Sequence, residues 1–251
     1  MKPPFRSVND LRRFLKRLKH GKLPSIDIVN EAVNAELRSI FIAVPKTGTS
    51  SVRIQIRPAG TPLVPNPHLN IVQVRDLLYP FLLRSALGGN DSFPSKDVPT
   101  DEDVRAEARR MFESFFKFSG VRNPWARAVS LYFRRERIKV SESLTFEEFC
   151  EQHAYASDAC AHPTLHKNQF DWLCDESGGL LMDFVYKVEE FDDAIREIRE
   201  RTEGRVDLVQ KVLNRNPQSR SSDYRSMYNQ RTKDLIAKVY EKDIDWFKYS
   251  F

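Results

Sequence analysis

The chain has 251 residues, is 41% hydrophobic and 30% charged, and carries 40 Lys+Arg against 35 Asp+Glu for a formal net charge of +5. This composition is globular and long enough for one α/β domain with decorations, and its mildly basic balance suits polyanionic ligands without being a nucleic-acid signature. No apolar run approaches the ~20 residues that a membrane span needs, and Cys150, Cys160 and Cys174 lack the spacing of a disulfide framework, which points to a reducing compartment.

The first stretch, MKPPFRSVNDLRRFLKRLKHG, lacks the apolar core of a signal peptide, so a cytoplasmic protein is expected. Asn9 caps a predicted helix from Asp10 to His20, closed by Gly21. Leu11, Phe14, Leu15 and Leu18 form its apolar stripe, with Arg12, Arg13, Lys16, Arg17 and Lys19 on the other faces. Packing on the domain with a solvated basic face is the favoured reading; peripheral contact with a membrane surface or an acidic acceptor is the alternative. Leu23 to Leu37 reads as linker and short helix, which makes 1–37 an N-terminal segment and 38–251 the domain.

Arg38 to Arg53, RSIFIAVPKTGTSSVR, begins with a short apolar run (Ile40 to Val44) that predicts a buried strand ended by Pro45. The loop Lys46-Thr47-Gly48-Thr49-Ser50-Ser51 follows, and Val52, Ile54 and Ile56 then resume an apolar pattern suited to a helix. A strand, a tight loop and a helix N-terminus together make an anion site. Backbone N–H groups and the positive dipole end face outward, Gly48 permits close approach, hydroxyls add donors and Lys46 adds a charge. The order differs from a Walker A loop, where the lysine follows the second glycine. Alone, the pattern fits a plain strand-to-helix turn equally well.

Arg57 to Thr100 is less regular, with prolines at 58, 62, 65, 67, 80, 94 and 99. His68 immediately precedes a helix capped by Asn70 and carrying Val74, Leu77, Leu78, Phe81 and Leu82, which Pro80 should kink or interrupt. Leu87 to Pro99 reads as an exposed loop. Thr100 and Asp103 cap a helix from Asp101 to Ser114, which feeds a second strand, Phe116 to Val121. Asn123 is a good N-cap and Pro124 a good first helical residue, so a helix runs on through WARAVSLYFRRE. Arg122 thus sits at a strand's carboxyl end, and Ser130 lies about two turns along, within reach of one phosphate.

Thr145 and Glu148 box a short helix through His153, and Tyr155 to His166 is loop. Leu180 to Lys187 reads as a third strand, and Asp192 to Glu203 as a helix stopped by Gly204. Asn214 to Asp223 is loop, and Gln230 to Glu241 a last amphipathic helix. Strands interleaved with helices argue for a central parallel sheet with helices on both faces.

The two loop stretches together resemble the sulfotransferases that use 3′-phosphoadenosine 5′-phosphosulfate (PAPS), and most nearly their carbohydrate-type, family 2-like branch. PKTGTSS is similar to that family's 5′-phosphosulfate loop. VRNPWARAVSLY is similar to its 3′-phosphate motif, in which an Arg and a Ser eight residues later hold the 3′-phosphate. Gln169 with Trp172, DFVYKVEEF (Asp183 to Phe191) and the tail DIDWFKYSF extend the likeness over roughly Arg38 to Phe251. It implies a three-layer αβα, P-loop NTPase-like fold, PAPS as donor with no metal, and a hydroxyl-bearing acceptor, carbohydrate first among the candidates. Lys46, Thr47, Gly48, Thr49, Ser50, Ser51, Arg122 and Ser130 would meet the donor.

For catalysis, Lys46 is the candidate to stabilise charge on the leaving oxygen, and His68 to take the acceptor's proton, with His166 the next candidate. Cys150, His153, Cys160, His162 and His166 crowd one stretch without a standard zinc spacing. Arg127 is expected to be structural, pairing with a carboxylate such as Glu189, and Trp125, Tyr132 and Phe133 to lie in the core. Two rivals stand beside the sulfotransferase: a P-loop-like phosphoryl transferase and a non-catalytic polyanion-binding module.

Overall fold

One sheet organises the chain, with strand order β1-β2-β3-β4: β1 (Val33–Asn34), β2 (Ser39–Ile42), β3 (Phe116–Val121) and β4 (Phe184–Lys187). The structure, a computed structural model, describes residues 29, 31–59, 64, 67–87, 100–133, 144–155, 167–210 and 223–251. The predicted helix at 10–20, the loops at 88–99, 156–166 and 214–222, and with them His20, Cys160, His162 and His166 lie outside the described residues.

β2, β3 and β4 run parallel, with Ile42 opposite Ser119 and Ser119 opposite Val185. β2 stops at Ile42, two residues short of the predicted end, because Val44 N–H turns back onto the Ile42 carbonyl at 3.0 Å. The third strand starts at Phe184 rather than Leu180, which forms an isolated antiparallel bridge with Cys174. β1 is an antiparallel addition at the edge, Val33 opposite Ile40. Asn34 closes the turn between them: its Oδ1 accepts from Leu37 N–H at 2.8 Å and its Nδ2 donates to the Ile56 carbonyl at 2.7 Å.

Among the described residues the α-helices are α1 (Thr49–Ile56), α2 (Ile71–Leu87), α3 (Asp101–Ser114), α4 (Pro124–Tyr132), α5 (Phe146–Tyr155), α6 (Phe191–Arg201), α7 (Gln230–Val239) and α8 (Glu241–Phe247). The predicted N-caps among the described residues form. Thr100 and Asp103 bond reciprocally at the start of α3, and Asn123 Oδ1 accepts from Trp125 and Ala126 with Pro124 at the first helical position. Asn70 and Gln73 pair in the same reciprocal way at the start of α2.

Of the two outcomes expected at Pro80, a kink or an interruption, the interruption does not occur, and α2 runs on to Leu87. An interior proline costs about 3 kcal/mol, whereas burying each of Val74, Leu78 and Leu82 returns about 1.5–3 kcal/mol. Packing wins. The closing segment is two helices rather than one, broken at the fully buried Tyr240.

Side chains alternate along β2. Ile40 and Ile42 pack with Val74, Leu78, Val104 and Met111 of α2 and α3. Phe41 and Ala43 pack with Val52, Ile56, Ala194 and Ile198 of α1 and α6. A further cluster joins Trp125, Leu131 and Tyr132 of α4 to α5 and α7. On β3, Gly120 is fixed by sterics, since a Cβ there would lie 2.7 Å from the buried Tyr186 ring. No helix among the described residues is long and apolar enough to cross a membrane.

Candidate active site

Because β2 and β3 are parallel neighbours, the loop after Ile42 and the Arg122-Asn123 step leave the sheet at the same end. Ser119 ties the two strands there, its Oγ–H donating to the Ile42 carbonyl at 2.7 Å. The carboxyl ends of parallel strands are where open α/β sheets form their ligand crevices.

Within the first loop, Lys46 and Gly48 both adopt the left-handed region, φ 68° and 72°. At Gly48 the backbone conformation, not crowding within the protein, calls for glycine, since an added Cβ meets nothing within 4 Å. Gly48 is also the N-cap of α1 and supplies no side-chain acceptor, and the first turn holds no acidic residue. No side chain caps the amides of Thr49 and Ser50, while the Ser51 N–H donates to the Gly48 carbonyl at 3.1 Å. Lys46, Ser50 and Ser51 are half-buried beside them, and Thr49 is buried. Thr47 differs from expectation: it is buried, and its hydroxyl donates to the Val44 carbonyl at 3.0 Å. Its side chain shapes the loop.

Arg122 is half-buried and held by its backbone. Its N–H donates to Gln169 Oε1 and its carbonyl accepts from Gln169 Nε2, both at 2.8 Å. Gln169 is fully buried and also donates to Asp243 Oδ2 at 3.1 Å. Burial pushes the Asp243 carboxyl up, while the nearby Arg127 charge and the N–H bonds from Gln169 and Phe170 pull it back. Glu189 grips the next residue, Oε1 accepting from Asn123 N–H at 2.8 Å and Oε2 from Tyr249 O–H at 3.2 Å. Asn123 Nδ2 donates to the Ser250 carbonyl at 2.8 Å, so the C-terminal stretch packs directly on this step. Burial pulls the Arg122 guanidinium below its usual value; Glu189 opposes this and the Arg127 charge adds to it. A guanidinium so placed gains from an incoming anion. Ser130, two turns along α4, is half-buried.

Arg127 is structural, as expected, but its partner is not Glu189. It is fully buried, with Nε donating to the Pro45 carbonyl at 3.0 Å and Nη1 to the Lys167 carbonyl at 3.3 Å. Its guanidinium lies 5.3 Å from the Tyr240 ring centre.

His68 reaches the same end of the sheet. The chain between α1 and α2 is pinned by an ion pair of Glu31 with Arg53, both of which also bond the Val64 backbone. Half-buried His68 then sets Nδ1 2.6 Å from the Ala43 carbonyl, with its ring 6.1 Å from and nearly perpendicular to Trp172. A carbonyl only accepts, so Nδ1 carries the proton and the neutral ring keeps its lone pair on Nε2.

The sheet thus brings together the Lys46–Ser51 loop, Arg122 and His68, while His166 lies outside the described residues. Among the described residues no group of three or more His, Cys, Asp or Glu could hold a metal ion. Sequence reasoning missed the Gln169–Arg122–Asp243 cluster; Gln169 and the tail were noted there only for their likeness to a family pattern.

The sequence profile of the Sulfotransferase family matches residues 84–250, which hold β3, α4, Gln169, β4 and the closing helices. No curated protein and no solved structure matches the chain significantly. With more than half of its length inside that match, and with VRNPWARAVSLY folded as strand end, cap and helix, the chain belongs to the sulfotransferase family, in its family 2 branch.

Proposed function

We propose that this protein transfers a sulfuryl group from PAPS to a hydroxyl of a carbohydrate or other small acceptor, on a three-layer αβα fold of P-loop NTPase type. One observation carries the reading: the Lys46–Ser51 loop and Arg122 leave neighbouring parallel strands at one end, joined by the Ser119–Ile42 bond. The layered fold is supported by the alternation along β2, which sends Ile40 and Ile42 toward α2 and α3 and Phe41 and Ala43 toward α1 and α6.

The residues suit a donor with phosphate at both ends. The uncapped first turn of α1, with Thr49, Ser50, Ser51 and the backbone of Thr47 and Gly48, would hold the 5′ end, and Lys46 would add a full charge. Arg122 and Ser130 would hold the 3′-phosphate, Arg122 being aimed by Gln169 and Glu189 from behind. PAPS supplies the sulfuryl group and a phosphate as leaving group.

His68 Nε2 takes the proton of the acceptor hydroxyl, while the Nδ1–H bond to Ala43 fixes the ring and its tautomer. Lys46 stands against the negative charge that develops on the leaving oxygen. Its backbone is held in the left-handed region, which fixes the point from which the side chain departs. The test is incubation with radiolabelled PAPS and a panel of glycans, lipids and small alcohols. Label moving to a hydroxyl compound supports the reading; no transfer to any of them, with no release of adenosine 3′,5′-bisphosphate, contradicts it.

A further inference from the structure

Arg127 sits on α4 between Arg122 and Ser130, yet its side chain turns inward. Its two donated bonds run to two separate stretches. One is to the carbonyl of Pro45, in the peptide that enters Lys46; the other is to the carbonyl of Lys167, two residues before Gln169. Lys46 occupies the left-handed region, which a side chain disfavours, so its conformation needs support from outside the loop. Gln169 in turn clamps the backbone of Arg122.

A fully buried guanidinium is expensive to desolvate, and packing alone would be served by an apolar residue. What an apolar residue cannot supply is a planar fork whose directional donors reach two carbonyls at once. The Tyr240 ring lies beneath the fork and the Asp243 carboxyl nearby, while Nη2 is buried without a hydrogen-bond partner among the described residues.

We propose that Arg127 is a positioning residue that couples the two halves of the donor site, setting Lys46 through Pro45 and steadying Arg122 through the Lys167–Gln169 stretch. The proposal deepens the donor-site reading and rests on it. Lys46 would then be correctly aimed only while the α4 helix is in place.

The test compares Arg127→Lys and Arg127→Met in the full chain, each alone and combined with Lys46→Ala. Lysine keeps the charge but cannot span both carbonyls; methionine keeps only bulk, and if it fails to fold, the lysine variant decides. In Arg127→Lys, amide exchange at residues 46–51 should rise roughly tenfold or more while β3 stays protected, and affinity for adenosine 3′,5′-bisphosphate should fall roughly tenfold. Its effect on turnover at saturating donor should shrink to under about threefold once Lys46 is already alanine, because that part of the effect runs through Lys46, while the loss of bisphosphate affinity, which runs through Arg122, should persist. Additive effects on turnover, unchanged exchange in the loop, or exchange that rises equally in β3 would overturn the proposal. If the wild-type chain neither binds the bisphosphate nor transfers sulfate, the donor reading falls, and the exchange comparison still decides whether Arg127 sets the loop.

Discussion

Gln169 grips Arg122 by both sides of its backbone, accepting the N–H and donating to the carbonyl, each at 2.8 Å. Gln169 itself is fully buried, the grip is partly so, and it is completed by the buried bond to Asp243. Gln169→Leu would strand the Arg122 N–H, the Arg122 carbonyl and one Asp243 oxygen, at about 1–3 kcal/mol for each buried polar group. Urea unfolding should therefore show a loss of about 3 kcal/mol or more. A variant as stable as the wild type would mean the grip has no energetic weight.

If Lys46 has the proposed role, Lys46→Ala should fold normally and lose more than about tenfold in turnover, because its ammonium would act on charge present only in the transition state. Steady-state rates with circular dichroism on the same sample check both halves. Near-normal turnover removes Lys46 from the mechanism.

His68→Asn separates anchor from base. An asparagine amide can keep the Nδ1-like bond to the Ala43 carbonyl but offers nothing in place of Nε2. The variant should be stable, bind adenosine 3′,5′-bisphosphate like the wild type and transfer almost no sulfate. Retained activity would place the base elsewhere, with His166 the first position to examine.

Thr100 anchors the start of α3, which leads into β3. Thr100→Ala should destabilise by about 1 kcal/mol at neutral pH. The bonds from Thr100 hold the Asp103 carboxyl below its ordinary value near 3.8, so their contribution is present above that value and is lost as pH falls through the depressed one. The stability gap between wild type and variant should therefore narrow below about pH 4. Thermal unfolding at several pH values reads it.

Much of this was legible in the residues because it is local. The Thr100–Asp103 box, Asn123 followed by Pro124, and the apolar runs that became β2 and β3 are all set by near neighbours. The same logic failed where distant residues decide. Pro80 reads as a helix breaker until the burial of Val74, Leu78 and Leu82 is known. Arg127 reads as half of an ion pair until the fold delivers the Pro45 and Lys167 carbonyls to it. The role of Asp243 was hidden for the same reason, since it meets Gln169 and Phe170 only across more than seventy residues of chain. Trp125 and Tyr132 were readable as core because their pattern on α4 is itself local, whereas Phe133, just past the end of α4, is only half-buried against the same cluster.

Donor selectivity tests the central claim most directly. If Arg122 and Ser130 hold the 3′-phosphate as proposed, they have no task in binding a nucleotide that lacks one. A charge-assisted contact of that kind is worth about 1.5–3 kcal/mol, or roughly ten- to a hundredfold in affinity. Calorimetry of the wild type and Arg122→Ala with adenosine 3′,5′-bisphosphate and with AMP gives the four constants needed, and ATP on the wild type gives a fifth. The wild type should bind the bisphosphate far better than AMP or ATP, and Arg122→Ala should lose that preference while its weak AMP affinity stays nearly unchanged. Equal binding of ATP and the bisphosphate by the wild type would contradict the account and favour phosphoryl transfer instead.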